Sequence, residues 1–411
     1  MQLIKPDLNI DFMGKRNLLM MLSAAMLILS LIPLLIKGGP NYGIDFSGGI
    51  LVQVKFQKPT EAAAVKEALK PIAMDDSMVQ RFGKVEENEF LIRAQKPDLE
   101  LAGLDHKLAE ALKTTYGDAF EVRRVETVGP KVGKDLRQQA LMAVFFALLL
   151  MAVYISGRFE AKWILSGVMA GVLIGTTLVA HWLLATVLGL GDTMVMMLLI
   201  IIALGVTIAA CWVLRLRYAM GAVVSLSHDV LITVGVYTLC GKEFNLSSVA
   251  AILTVIGYSL NDTIIVYDRI RENLRKGTRT SFERVINDSV NQTLSRTILT
   301  SGTTLLVLVC LFLLGGGVIE DFALALLLGV AVGTYSSVYV ASPMLLMMPQ
   351  GGGLKVSLPQ AEPAKPAAKP APRPAPGPEP EEMSDDPRRI PAARPVRGRT
   401  AKVSRAKRKK R

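Results

Sequence analysis

Eight apolar runs constrain this chain of 411 residues more than any other feature. They lie at 17–36 and at approximately 138–156, 163–188, 193–214, 218–240, 246–267, 297–314 and 322–348. Runs of roughly 20 apolar residues are long enough to cross a bilayer, where a helix satisfies every backbone polar group internally. The chain therefore reads as a polytopic α-helical membrane protein, in keeping with its 51% hydrophobic residues. The first run follows Lys15 and Arg16, as a secretion signal would. It is long for that role, and Lys37, Gly38, Gly39 and Pro40 follow it instead of a small-x-small cleavage site. A retained anchor is expected.

Between the first two runs, residues 37–136 form an insert long enough for one small domain. Ile50, Val52, Val54 and Phe56 alternate with polar neighbours, which marks a strand. An amphipathic stretch from Thr60 to near Pro71 marks a helix. Residues 77–83 and 89–95 read as strands about a polar turn at Glu86–Asn88, 98–115 as a second helix, and 119–128 as a last strand. The order β-α-β-β-α-β is the split βαβ of ferredoxin-like α+β domains.

Charge asymmetry orients the chain. Arg158 with Lys162, Arg215 with Arg217, and the basic segment 268–296 alternate with connections holding Asp192, Lys242 with Glu243, and Glu320 with Asp321. The positive-inside rule places the first set in the cytoplasm. Residues 1–16 and 349–411 are then cytoplasmic, 37–136 lie outside (the periplasm, in a bacterium), and 137–348 form the rest of the membrane domain. Most of the net charge of +12 belongs to the tail, where residues 351–411 hold 16 Lys/Arg against 6 Asp/Glu. This Pro/Ala-rich tail cannot build a core and is expected to be disordered. Its basic end suits anionic lipid head groups or RNA on a ribosome, and composition does not separate the two. No DNA-binding fold is implied.

Small residues recur at four-residue spacing: Gly167, Gly171 and Gly175 in one run, Gly329 and Gly333 in another. Such ridges let helix backbones approach closely, for static packing or for sliding. Enzyme signatures are missing, with no HExxH, no Walker lysine and no nucleophile elbow. "GIDFSGG" (43–49) lacks the Lys-Ser/Thr of a phosphate loop and precedes a strand, so a sharp turn is expected there. Cys211, Cys240 and Cys310 have no metal-ligand spacing and read as small buried hydrophobes. His106, His181 and His228 are scattered. Neither a metal nor another cofactor is expected.

Two carboxylates inside apolar runs stand out, because an ionisable group there costs roughly 2.5–3.5 kcal/mol on insertion scales. Asp229 lies mid-run beside His228, and Asp262 follows Asn261 six residues before Asp268. Arg296 opens the next run from the same side of the membrane, followed by hydroxyls at Thr297, Thr300, Ser301, Thr303 and Thr304. A long arginine there has the reach to meet Asp262 if the helices are neighbours. The pair is either a permanent salt bridge that locks two helices or a carboxylate that alternates between charge states. Residue chemistry leaves both open.

Five stretches carry a family resemblance: "DFMGKR" (11–16), "GIDFSGG" (43–49), "VGPKVGKDL" (128–136), "SLSHDVLITVG" (225–235), and the long block from "VIGYSLNDTIIVYDRIREN" to "TLSRTILTSGTT" (255–304). Through them most of residues 10–350 resembles the bacterial SecD–SecF family of protein-export factors, on the side of the smaller member, SecF. The resemblance implies an RND-like membrane domain in the inner membrane. It implies a SecD partner, with YajC and YidC as further associates. It also implies use of the proton-motive force to complete preprotein translocation through SecYEG after the ATP-driven SecA step. By the same resemblance Asp262 and Arg296 match the proton-relay pair, with Asp229 and His228 accessory; Asn261, beside the carboxylate, is a further accessory candidate that orients it or a water, or hydrogen-bonds to a neighbouring helix. Gly43, Asp45, Gly48 and Gly49 match the motif joining the first span to the outer domain. A passive scaffold and a small-molecule exporter are the competing functions. One departure is visible: the family ordinarily has six spans, and two extra runs at about 163–214 separate Arg158-Phe159-Glu160 from the run holding Asp229.

Overall fold

The computed structural model describes residues 9–72, 74, 77–83, 87–94, 103–160, 163–277 and 280–348. The basic tail and part of the turn at Glu86–Asn88 lie outside these residues.

Among the described residues, eight helices are long and apolar enough to cross a membrane. They are α1 (Arg16–Ile36), α5 (Pro130–Glu160), α6 (Trp163–Trp182, prolonged by a π-helical turn Leu183–Val187), α7 (Asp192–Val213), α8 (Arg217–Leu239), α9 (Leu246–Arg275), α10 (Phe282–Leu314) and α11 (Gly317–Ser336). The last continues through a π-helical turn, Ser337–Ala341, into α12 (Ser342–Met347). Helices α9 and α10 extend well into the basic segment that hydropathy assigns to a connection. Charge ends an apolar run but not a helix. Arg269 and Lys276 both pair with Glu272, at 2.7 and 2.8 Å, and Ser281 accepts from Arg284 N at the start of α10.

The small domain has α2 (Ile44–Ser47), β1 (Gly49–Phe56), α3 (Ala62–Ala68), β2 (Met78–Phe82), β3 (Glu89–Ala94), α4 (Leu104–Tyr116) and β4 (Phe120–Val128). Its sheet is antiparallel in the order β2-β3-β1-β4. Central β1 runs between Ile92 and Val125, both opposite Val52. The strand's alternating residues Ile50, Val52, Val54 and Phe56 are buried with Val65, Leu69, Phe90, Leu108 and Leu112. The opposite sheet face carries Gln53, Arg93, Arg124 and Glu126 toward the bundle. The turn expected at 43–49 contains one helical turn, α2, before Gly48 reverses the chain at φ 75°. A Cβ on Gly48 would stand 2.8 Å from Pro130 Cα, so the glycine lets the two ends of the domain meet.

In the bundle α8 is central, packed against α1, α5, α7, α9 and α11. Helices α6 and α7 pack on each other and on α5, with α7 also touching α8. Helix α6 does this through buried Ser166, Met169 and Leu173. Its glycine ridge faces outward, where a Cβ at Gly167, Gly171 or Gly175 would meet nothing within 4 Å. Within this chain the ridge therefore mediates no packing, because 100° per residue puts it on the face opposite the contact. Gly329 and Gly333 do sit in tight contact, under Val255 and Ser259 of α9. Of the cysteines, Cys211 alone is buried, while Cys240 just past the end of α8 and Cys310 on α10 are exposed.

Candidate functional site

Asp262 sits on α9 about 24 Å from the helix start, at 1.5 Å per residue. It is 1% exposed. Its Oδ2 accepts from Ser301 Oγ of α10 at 3.1 Å, and Ser301 Oγ in turn accepts from Thr334 Oγ1 of α11 at 2.8 Å. Among the described residues its buried Oδ1 has no hydrogen-bond partner, nor has Thr297 Oγ1 one turn before Ser301 on α10. A settled buried carboxylate collects several donors; this one has a single hydroxyl and a free oxygen.

Arg296 does not make the contact. The register of α10 turns buried Thr297 and Ser301 inward and leaves Arg296 exposed on the outer side, within Coulombic reach of Asp262. Asn261 is likewise exposed, one residue and 100° from the carboxylate. Thr303, two turns beyond Arg296 on the same face of α10, is exposed as well.

Asp229 forms a second buried cluster on α8. His228 Nδ1 lies 3.0 Å from its Oδ1, while its Oδ2 accepts from Ser259 Oγ (2.5 Å) and Ser336 Oγ (2.8 Å). Ser225 Oγ donates to Ser336 Oγ at 2.9 Å. Ser259 and Ser336 escape a sequence reading, because isolated serines are common in membrane helices. Their one signal is position, Ser259 lying three residues before Asp262.

The glycine-rich link ties the domain to the same helices. Asp45 Oδ2 accepts from Leu246 N at the first turn of α9 (2.9 Å), where helix-dipole and carboxylate charges attract. Gly43 N donates to Phe244 O (2.8 Å), and a Cβ on Gly43 would crowd that oxygen at 3.3 Å. Gly48 and Gly49 both have positive φ. Arg93 of β3 pairs with Glu243 just before α9, and Lys242 pairs with Glu320 (2.9 Å) and Asp321 (2.7 Å) of α11. At the other end of the bundle, Asn287 Oδ1 accepts from Phe12 N (2.8 Å) and Asn291 Oδ1 from Ile10 N (2.9 Å). These bonds clamp residues 10–12, at the head of the "DFMGKR" stretch, onto α10. Among the described residues no three His, Cys, Asp or Glu gather as metal ligands.

A multi-span helical bundle capped by a four-stranded antiparallel α+β domain is the SecDF-like fold, that of a transport protein and not of a class of enzyme. The crystal structure of SecDF, a translocon-associated membrane protein from Thermus thermophilus, matches with a TM-score of 0.61 and 29% identity. The match covers 84% of this chain and 39% of that longer one. A family model described as protein export membrane protein SecD/SecF, C-terminal, matches residues 107–204 and 189–351, and the SecD/SecF GG motif matches 34–60. Protein translocase subunit SecF of Magnetococcus marinus is 40% identical over 366 residues, 88% of this chain and 99% of the relative. SecF of Escherichia coli O157:H7 is 35% identical over 327 residues, 79% and 84% of the two chains. The chain belongs to the SecF family.

Proposed function

We propose that this chain pairs with SecD and uses the proton-motive force to complete preprotein translocation through SecYEG, after the ATP-driven SecA step. The observation that carries this is Asp262: mid-bundle, buried, with one hydroxyl donor and one unpartnered oxygen. Such a group is costly in a helix bundle and poorly matched to a static role. In this reading Asp262 takes and releases the proton, and Arg296 sets its charge balance from the neighbouring helix. Asn261 and Arg296 are exposed polar side chains on membrane helices, which is expensive against lipid and supports a partner helix bundle there, the SecD half. YajC and YidC are further associates in this reading. Gly43, Asp45, Gly48 and Gly49 carry motion of α9 to the outer domain.

The charge asymmetry of the connections supports an inner-membrane orientation with both termini cytoplasmic and residues 37–136 periplasmic. The domain divisions at 16, 36, 136 and 348 are those set by the apolar runs. In this reading α6 and α7 are spans added to a six-span plan.

The test is Asp262→Asn in the full complex, with export followed in cells depleted of the native protein and proton flux followed in proteoliposomes. Loss of both is expected. Wild-type export and flux in the variant would leave only a passive scaffold.

A further inference from the structure

We propose that the Asp229–His228 pair is a second proton-holding site, coupled to Asp262 across the α9–α11 contact; this rests on the reading of Asp262 as a proton carrier. The pair is buried in mid-bundle, with Asp229 0% and His228 6% exposed. A structural pin would satisfy every polar atom it buries. This one does not, because His228 Nε2 is buried and has no hydrogen-bond partner among the described residues. The imidazole thus has one nitrogen engaged with a carboxylate and the other free to hold a proton or lose one. With His228 as imidazolium and Asp229 ionised, transfer of the Nδ1 proton to Oδ1 leaves a neutral carboxyl and a neutral imidazole protonated on Nε2. No other reactant is needed, and loss of the Nε2 proton instead leaves the carboxylate facing a neutral ring.

The two carboxylates share their supports. Ser259, a donor to Asp229, stands one turn before Asp262 on α9. Ser336, the other donor, stands two residues after Thr334, which donates to Ser301 and so reaches Asp262. Gly333 brings α11 onto α9 at Ser259 itself. A slide of α11 along α9 alters the hydrogen bonding of both carboxylates at once. Other charges are remote. The chain between Asn17 and Ile36 in α1, between Gln138 and Gly157 in α5, and between Thr193 and Val213 in α7 has no charged residue. The titratable groups of α9 and of α11 with its π turn near this depth are Asp262 itself, Tyr258, Tyr335 and Tyr339, with Tyr258 bonded to Thr304 and Tyr335 to Leu19 O.

The experiment is infrared difference spectroscopy against pH on the full chain with its SecD partner in lipid vesicles. Wild type, Asp262→Asn, Asp229→Asn and His228→Gln are compared. The expected result is two titrating carboxyl C=O bands, one lost in each Asp→Asn variant, with the surviving band's midpoint displaced by roughly one pH unit. His228→Gln retains Asp229 and is expected to shift its band, so the proposal stays testable if Asp229→Asn fails to fold. One titrating band that vanishes in Asp262→Asn and ignores both other changes would overturn the second site and leave the Asp262 reading intact. A titrating band at Asp229 with none at Asp262 would overturn the Asp262 reading and the coupling with it.

Discussion

Ser301 is the one hydrogen-bond donor that the described residues offer Asp262, so its hydroxyl decides how well the bundle tolerates the ionised carboxylate. A hydrogen bond to a charged group is worth about 1.5–3 kcal/mol, or roughly ten- to a hundredfold in a proton equilibrium. Ser301→Ala is expected to depress proton flux in proteoliposomes by at least about tenfold, while Ser301→Thr retains most of it. At this scale the sequence was partly legible. A charge within an apolar run announces Asp262, and the hydroxyl-rich stretch after Arg296 announces a polar neighbour. Which residue touches the carboxylate was not legible. Arg296 and Thr297 differ by one position and therefore by 100° around α10, and hydropathy does not record rotation.

Helix contacts show the same division at the scale of elements. Both glycine ridges have the spacing for close approach, yet only Gly329 and Gly333 lie against a neighbour. Gly333→Val pushes a side chain into Ser259, whose Cβ would lie 2.8 Å from the new Cβ. It is expected to cost about 1–3 kcal/mol and lower the melting temperature of the purified chain in detergent. Gly171→Val enters open space and is expected to stay within about 0.5 kcal/mol of wild type. The lengths of α9 and α10 were similarly half-legible. Hydropathy marks the lipid-facing part, whereas ion pairs such as Arg269–Glu272 carry α9 onward to Arg275.

Across the whole molecule, the junction between the domain and the bundle joins Arg93, Glu243, Lys242 and Asp321, with Phe82 set against Gly317. These contacts grip the starts of α9 and α11, the two helices whose serines hold Asp229, with α9 also carrying Asp262. Burial lowers the Arg93 guanidinium to about 10, opposed by the charge of Asp321, so it stays charged at neutral pH. Arg93→Ala leaves Glu243 facing a partly buried junction without its partner. The expected loss is about 3 kcal/mol of docking, seen as faster limited proteolysis at the 37–49 link. For Lys242, burial pulls the ammonium down, but hydrogen bonds to Asp321 and Glu320 outweigh it and hold its pKa above the ordinary 10.5. Its contribution is therefore complete below pH 10.5 and lost as pH rises through the higher folded value. Protease resistance of the link is expected to hold through neutral pH and fall only in alkali beyond that point. A drop between pH 6 and 8 would contradict this assignment.

The amino-acid sequence by itself determined that the chain crosses a membrane many times, that its insert is a split βαβ domain, and that a carboxylate is buried in an apolar helix. Each follows from composition or periodicity along one segment, which the chain carries locally. Only the tertiary structure decided that Ser301 holds Asp262, that serines of α9 and α11 hold Asp229, and that Arg93 reaches Glu243 across the junction. These contacts join residues 39, 30, 107 and 150 positions apart, and depend on helix rotation and element docking. Neither is written in any single segment.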